Sequence, residues 1–250
     1  MKVFVLGKGL AAVLLIIAAV VLFISVKITC IPASSKTTRQ LPIYNVNRSD
    51  MAVSVTFDCA WNDEDIDDII KVLSDNGCIS TFFVVGNWAQ RYPEAVKKLA
   101  NAGHEIANHS MSHAKYTGLS KEKMKDDMNK CDDVIKELTG KSSNLFRPPY
   151  GEYNKDVVGA CEETSRCCIQ WDVDSLDWMD YSAGEIANRV LSRTKSGSII
   201  LLHNGTKNTR EALEKILPGL AEKGFKFATV SDLIYKENYI IDHAGTQHPK

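Results

Sequence analysis

The hydrophobic pattern changes character along the chain. Residues 9–26 read GLAAVLLIIAAVVLFISV, an apolar stretch without a single charge. As a helix these residues rise about 27 Å, close to the hydrocarbon thickness of a bilayer. Lys2 and Lys8 precede the stretch and Lys27 follows it. It is longer than the apolar centre of a signal peptide, and a small-residue cleavage site is offered only weakly, near Ala33. The pattern predicts an uncleaved signal anchor over residues 1–29, with the basic start in the cytoplasm and the rest of the chain outside the cell membrane. Cys30 lies just beyond and reads as an unmodified cysteine. Residues 30–50 contain SSKTT and NRSD and read as a polar linker.

From residue 51 to 238, short Val-, Ile-, Phe- and Thr-rich runs alternate with amphipathic stretches. Strands are expected at Ala52–Phe57, Ser80–Val85, His104–Asn108, Asn144–Arg147, Cys167–Val173, Ser198–His203 and Lys226–Val230. Helices are expected at Glu64–Leu73, at Pro93–Ala102 with proline in its first turn, and at Lys121–Thr139 between Ser120 and Gly140. Another begins at Ser182, where Glu185 completes a capping-box pattern. A further one at Thr209–Lys223 carries Pro218, predicting a kink or break. The run KEKMKDD in the third of these helices reads as a solvated face. Strands separated by helices imply an α/β domain with mostly parallel pairing, either an open sheet or a barrel. Residues 239–250 read as a polar tail.

Charge and cysteine content narrow the partners. The formal net charge is -1, with no long run of one sign, which argues against nucleic acid as a general partner. The seven cysteines are an odd number, so at least one thiol is free or pairs with another chain. Cys167 and Cys168 are adjacent in a predicted strand and should point to opposite faces.

The candidate chemistry sits at one end of the strands. The first strand runs into Asp58 and Cys59, the third into His109 and His113, the fourth into Arg147, the fifth toward Asp174 and Asp177, and the sixth ends in His203. Parallel α/β folds bind ligands at the carboxyl ends of their strands, so five strands deliver ionisable groups to one rim. His109 and His113, four apart, can converge on one cation. Asp58 is a candidate general base and Arg147 its ionic support. His203 is a candidate general acid, with Asp177 placed to fix its tautomer. Trp61, Trp171 and Trp178 flank these strand ends and offer flat faces to sugars. His104 enters its strand from the opposite end and reads as structural, and His243 and His248 lie in the tail.

These motifs together resemble the polysaccharide deacetylases of carbohydrate esterase family 4, the NodB-homology domains. TFDCA (56–60), HSMSH (109–113), RPPYG (147–151), DSLDW (174–178) and LLH (201–203) are similar to that family's motifs and occur in its order. The resemblance implies a distorted seven-stranded (β/α) barrel, like a TIM barrel, and metal-dependent removal of acetyl groups from a cell-wall glycan, peptidoglycan or a chitin-like oligosaccharide. It implies Asp58 as base, His109 and His113 as ligands of a divalent metal, zinc by its chemistry, and Arg147 as support of the base. It further implies the Tyr150 N–H as an oxyanion donor, Asp177 as partner of the acid His203, and Trp178 along the groove. One position departs from the family: the expected third metal ligand, an aspartate, is Cys59. A Cys-His-His site, a two-histidine site completed by water or Asp58, and a weakened or lost site, as in a glycan-binding pseudoenzyme, all stay open. The T-F-D-x-x-W form looks like a subgroup associated with spore-forming bacteria.

Overall fold

The computed structural model describes residues 41–250. The expected anchor, Cys30 and most of the expected linker lie outside the described residues. Among the described residues, no helix is long and apolar enough to cross a membrane.

In chain order the strands are β1 (Asn45–Val46), β2 (Ala52–Cys59), β3 (Thr81–Val84), β4 (Glu105–Asn108), β5 (Leu145–Phe146), β6 (Cys167–Cys168), β7 (Val173–Asp174), β8 (Ile199–His203), β9 (Lys226–Phe227), β10 (Tyr239–Ile241) and β11 (Thr246–Pro249). The helices are α1 (Ile66–Asp75), α2 (Gly86–Arg91), α3 (Pro93–Asn101), α4 (Lys121–Thr139), α5 (Lys155–Glu163), α6 (Ala183–Arg193), α7 (Thr209–Glu222) and α8 (Val230–Leu233). The main sheet runs β6-β5-β4-β3-β2-β8-β7, with β9 on the start of β2. Every pairing within it is parallel. The fold is thus a curled, parallel (β/α) sheet with helices outside it.

Strand alternation sorts side chains between two apolar layers. Val55, Phe57 and Cys59 of β2 pack outward with Ile69 and Leu73 of α1 and with Leu213, Ile216 and Leu217 of α7. The inward set includes Ala52, Phe83, Ala107, Leu145, Ile169 and Ile199, closed by Val230 and Leu233 of α8. On β2 the inward positions above Ala52 are Ser54, Thr56 and Asp58, all buried. Because the side-chain period of a strand is two, Asp58 faces the interior and Cys59 cannot share that face.

The linker and tail differ from expectation at the seam of the sheet. Ile43 donates its N–H to the Cys168 carbonyl at 2.9 Å and accepts from Gln170 N–H at 2.8 Å, and Val46 N–H reaches the Gly197 carbonyl at 2.9 Å. Residues 41–46 therefore bridge β6 and the start of β8, which splits the single strand expected over 167–173 into β6 and β7. The tail forms the antiparallel pair β10–β11, and β11 pairs parallel with β1. These strands are only two to four residues long, too short to show an alternating pattern, but their backbone groups still need partners. Gly197 makes the seam possible. It has φ +81°, and an added Cβ would lie 1.7 Å from the Val46 carbonyl oxygen. Gly197→Ala is expected to cost at least about 2 kcal/mol, through left-handed strain plus displacement of β1, read as a lowered urea midpoint. An unchanged midpoint would show that the seam carries no stability.

α7 continues through Pro218 as one helix. Its buried stripe of Ala212, Leu213, Ile216, Leu217 and Leu220 holds it against the sheet on both sides of the proline, so packing overrides the local penalty. Three short helices, α2, α5 and α8, were not legible from periodicity. Among the described residues all six cysteines are free, and Cys167 and Cys168 belong to different apolar clusters, as opposite faces require.

Candidate active site

The carboxyl ends of the strands surround a cleft with a cavity of about 490 Å³, lined by Asp58, Trp61, His109, His113, Tyr150, Trp171, Asp174, Trp178 and His203 among others. Asp58 and His203 are neighbours in the β2–β8 register. Adjacent strands lie about 4.8 Å apart, so their side chains enter the cleft side by side.

Arg147 rises from the turn after β5 and is fully buried. Its Nη1 donates to Asp58 Oδ1 at 2.7 Å and to Thr56 Oγ1 at 2.9 Å, and its Nη2 donates to the Gln170 carbonyl at 3.2 Å. The guanidinium also lies 4.0 Å over the Phe83 ring. Burial acts to raise the Asp58 pKa, but the Arg147 guanidinium above all more than offsets it and holds the carboxyl below its ordinary range.

The other Asp58 oxygen lies 3.4 Å from His109 Nε2. His109 Nδ1 is 2.8 Å from the Arg147 carbonyl, which can only accept, so the proton of the neutral ring sits on Nδ1. Nε2 then presents a lone pair toward Asp58. Burial lowers the His109 pKa, and burial followed by His109 lowers that of His113 to about 4. The rings of the two histidines are 5.1 Å apart, and His113 lies 4.5 Å from the Tyr150 ring.

On the opposite wall Asp177 is buried beneath His203. Its Oδ1 accepts from His203 Nδ1 at 2.8 Å, and its Oδ2 accepts the His203 backbone N–H at 2.7 Å and the Thr209 hydroxyl at 2.5 Å. Burial would lower the His203 pKa, but the Asp177 hydrogen bond and charge raise it above the ordinary value, so the imidazolium persists to higher pH. In an NMR pH titration the His203 ring is expected to titrate above 6.5 in the native chain. In Asp177→Asn, with the main opposition to burial gone and only the charges of Asp58 and Asp174 left against it, the midpoint is expected to fall. An unchanged midpoint would show that Asp177 does not tune the ring.

Tyr150 and Gly151 have φ +62° and +66°. The turn is pinned by Gln170 Nε2 donating to the Gly151 carbonyl at 3.0 Å, and a Cβ on Gly151 would lie 2.7 Å from the Trp171 ring. Trp61 and Trp178 stand at the rim, 49% and 56% exposed, and the Trp61 ring packs 5.2 Å from that of His203.

One expected ligand is elsewhere. Cys59 is fully buried in the outer apolar layer with Phe57, does not line the cavity, and burial raises its thiol pKa well above the ordinary value. Among the described residues no three His, Cys, Asp or Glu side chains gather as a metal-binding group. A catalytic zinc centre takes three protein ligands and an open position. The residues present supply two imidazoles, so they do not fit such a centre, and Cys59 is corrected from candidate ligand to core residue.

Several residues that shape the site were missed in the sequence. Asn108 accepts Ser110 N–H and donates to the Met128 carbonyl, and its place just before His109 was the available signal. Thr56 sits inside the first motif. Asp127, in the run read as a solvated face, instead bonds the histidine loop.

The carboxyl rim of the parallel sheet thus pairs an Arg-held carboxylate with an Asp-held imidazole. Residues 45–165 match the polysaccharide deacetylase family model. A peptidoglycan-N-acetylglucosamine deacetylase of Bacillus cereus is 33% identical over 196 residues, covering 76% of this chain and 92% of that protein. The uncharacterised protein YlxY of Bacillus subtilis is 31% identical over 193 residues, 77% of this chain, and the chain spans only 60% of its length. The crystal structure of a carbohydrate esterase family 4 pseudoenzyme from Bacillus anthracis superposes with TM-score 0.75 at 27% identity, covering 84% of this chain and 74% of that one. The chain belongs to the polysaccharide deacetylase family, hydrolases that act on carbon–nitrogen bonds.

Proposed function

We propose that the chain hydrolyses N-acetyl groups of a cell-wall glycan, peptidoglycan before chitin-like oligomers, in the manner of the Bacillus cereus relative that it resembles. The observation that carries this reading is the Asp58 carboxylate: Arg147 bonds one oxygen, and the other faces the unprotonated His109 Nε2 across 3.4 Å. Two acceptors face each other there, and a water donating to both would satisfy them and be held for attack. Asp58 takes the proton as that water adds to the acetyl carbonyl. In this reading the Tyr150 N–H receives the developing oxyanion, and one such donor is commonly worth about 3–4 kcal/mol. His203, whose imidazolium Asp177 favours, delivers its proton to the departing sugar amine. Trp61 and Trp178 supply flat walls for the sugar rings.

The family's deacetylases are generally metal-dependent, and imidazole donors favour zinc. Among the described residues His109 and His113 are the imidazoles that would hold a divalent ion, and the steps above rest on the chain's own groups. The proposed setting is the outer face of the cell membrane, reached through the segment 9–26.

The burial of Cys59 supports a second reading, a glycan-binding pseudoenzyme. The pseudoenzyme relative keeps the same fold, and a mutant of it is described as having restored enzymatic activity, with TM-score 0.75 and 30% identity. Acetate release from peptidoglycan, measured with and without chelator and with added zinc, separates the two. Release supports the deacetylase; saturable glycan binding without release under every condition supports the pseudoenzyme.

A further inference from the structure

The loop that carries both imidazoles is built from unfavourable backbone. Ser110 and His113 have φ +71° and +55°, neither being glycine. Such a loop keeps one shape only if its polar groups are bonded on all sides. On one side α2 receives it: Gly86 and Asn87 N–H groups donate to the Ser110 and Met111 carbonyls, both at 2.9 Å. A Cβ on Gly86 would lie 2.3 Å from Met111 Sδ.

On the other side stands the Asp127 carboxylate of α4. Asp127 Oδ1 accepts Met111 N–H at 2.8 Å and the hydroxyl of the buried Tyr116 at 2.7 Å, and Oδ2 accepts the Ser112 hydroxyl at 2.8 Å. These donors lie on both sides of His113 in the chain, so the carboxylate spans the residue whose imidazole enters the cleft. Asp126, its neighbour, instead forms an exposed pair with Lys130. The two adjacent aspartates thus have different work, and only Asp127 faces the loop.

We infer that Asp127 is a positioning residue for the site: its three accepted hydrogen bonds fix the loop so that His113 stays against Tyr150 and His109. Its effect on turnover rests on the deacetylase reading, but its effect on the His113 ring does not. The test compares the native full-length chain with Asp127→Ala and Asp127→Asn. An amide at this position keeps one oxygen for Met111 and Tyr116 and can donate to Ser112, so it preserves the clamp.

The direct readout is the NMR signals of the His113 ring, which in the native chain are expected to carry a ring-current displacement from Tyr150, 4.5 Å away. In Asp127→Ala these signals are expected to move to free-imidazole positions, while the indole N–H signals of Trp61 and Trp178 stay in place. In Asp127→Asn they are expected to stay. Turnover should follow the same order. Asp127→Ala should lose about 100-fold in kcat with KM within about threefold, and Asp127→Asn should recover most of it. Asp127→Ser, whose short hydroxyl cannot reach all three donors, replaces the alanine variant if that one fails to fold. Unmoved His113 signals in the alanine or serine variant would overturn the inference. A native chain that shows no turnover would count against the deacetylase reading alone, and the ring signals would still decide the role of Asp127.

Discussion

Arg147→Met should lower the unfolding free energy by about 3–5 kcal/mol at neutral pH. The guanidinium is fully buried, bonds Asp58, Thr56 and the Gln170 carbonyl, and stacks on Phe83. Methionine fills much of the stem's volume, so the loss is chiefly electrostatic: Asp58 is left buried with its main counter-charge gone. The pH dependence gives the sign. In the native chain Arg147 keeps the Asp58 pKa below the ordinary 3.8, so its contribution is present above that pH and is lost as pH falls through the depressed value. In the variant burial dominates and the pKa rises, so folding must carry an unpaired charge or a proton. The gap between native and variant should be widest near neutrality and narrow toward pH 4, read by urea unfolding at both. A gap below about 1 kcal/mol at neutral pH would place Arg147 among ordinary surface pairs.

His203→Gln should behave in the opposite way. The ring lies at the cleft wall, and the backbone N–H of residue 203 keeps its bond to Asp177 in the variant. Glutamine can also donate to Asp177, so stability should change by less than about 1 kcal/mol. What is lost is the proton source for the leaving amine, worth about 10²–10⁴ in rate for a general acid. Acetate release should fall by that factor with KM little changed. An equal loss of stability would mean that His203 serves the fold rather than the chemistry.

The rim could be read in advance because strand-end residues in a parallel fold must share one side, whatever the curvature of the sheet. Asp58, His109, His113, Arg147, Asp177 and His203 therefore converge as the order of strands implied. Cys59 shows the limit of motif matching. Position in the motif suggested a ligand, but alternation along β2 sends alternate side chains to opposite layers, and an apolar thiol gains by staying in the outer one. The seam strands were illegible for a different reason. Leu41–Val46 and the β10–β11 pair are recruited by unpaired backbone groups of a curled sheet, a demand that no local composition announces. Asp127 was lost in a charged run because periodicity shows which face a residue occupies, not which loop will fold over it. The hydrogen bonds of Asn108 and Thr56 depend on that same non-local placement.

The most direct test of the cleft as a deacetylation site is mass spectrometry of muramidase fragments of peptidoglycan after incubation with the full-length chain. The site predicts sugars that have exchanged an acetyl group for hydrogen, and none from Asp58→Asn. Fragments that keep every acetyl group, with zinc added or withheld, while the chain still binds the glycan, would contradict it.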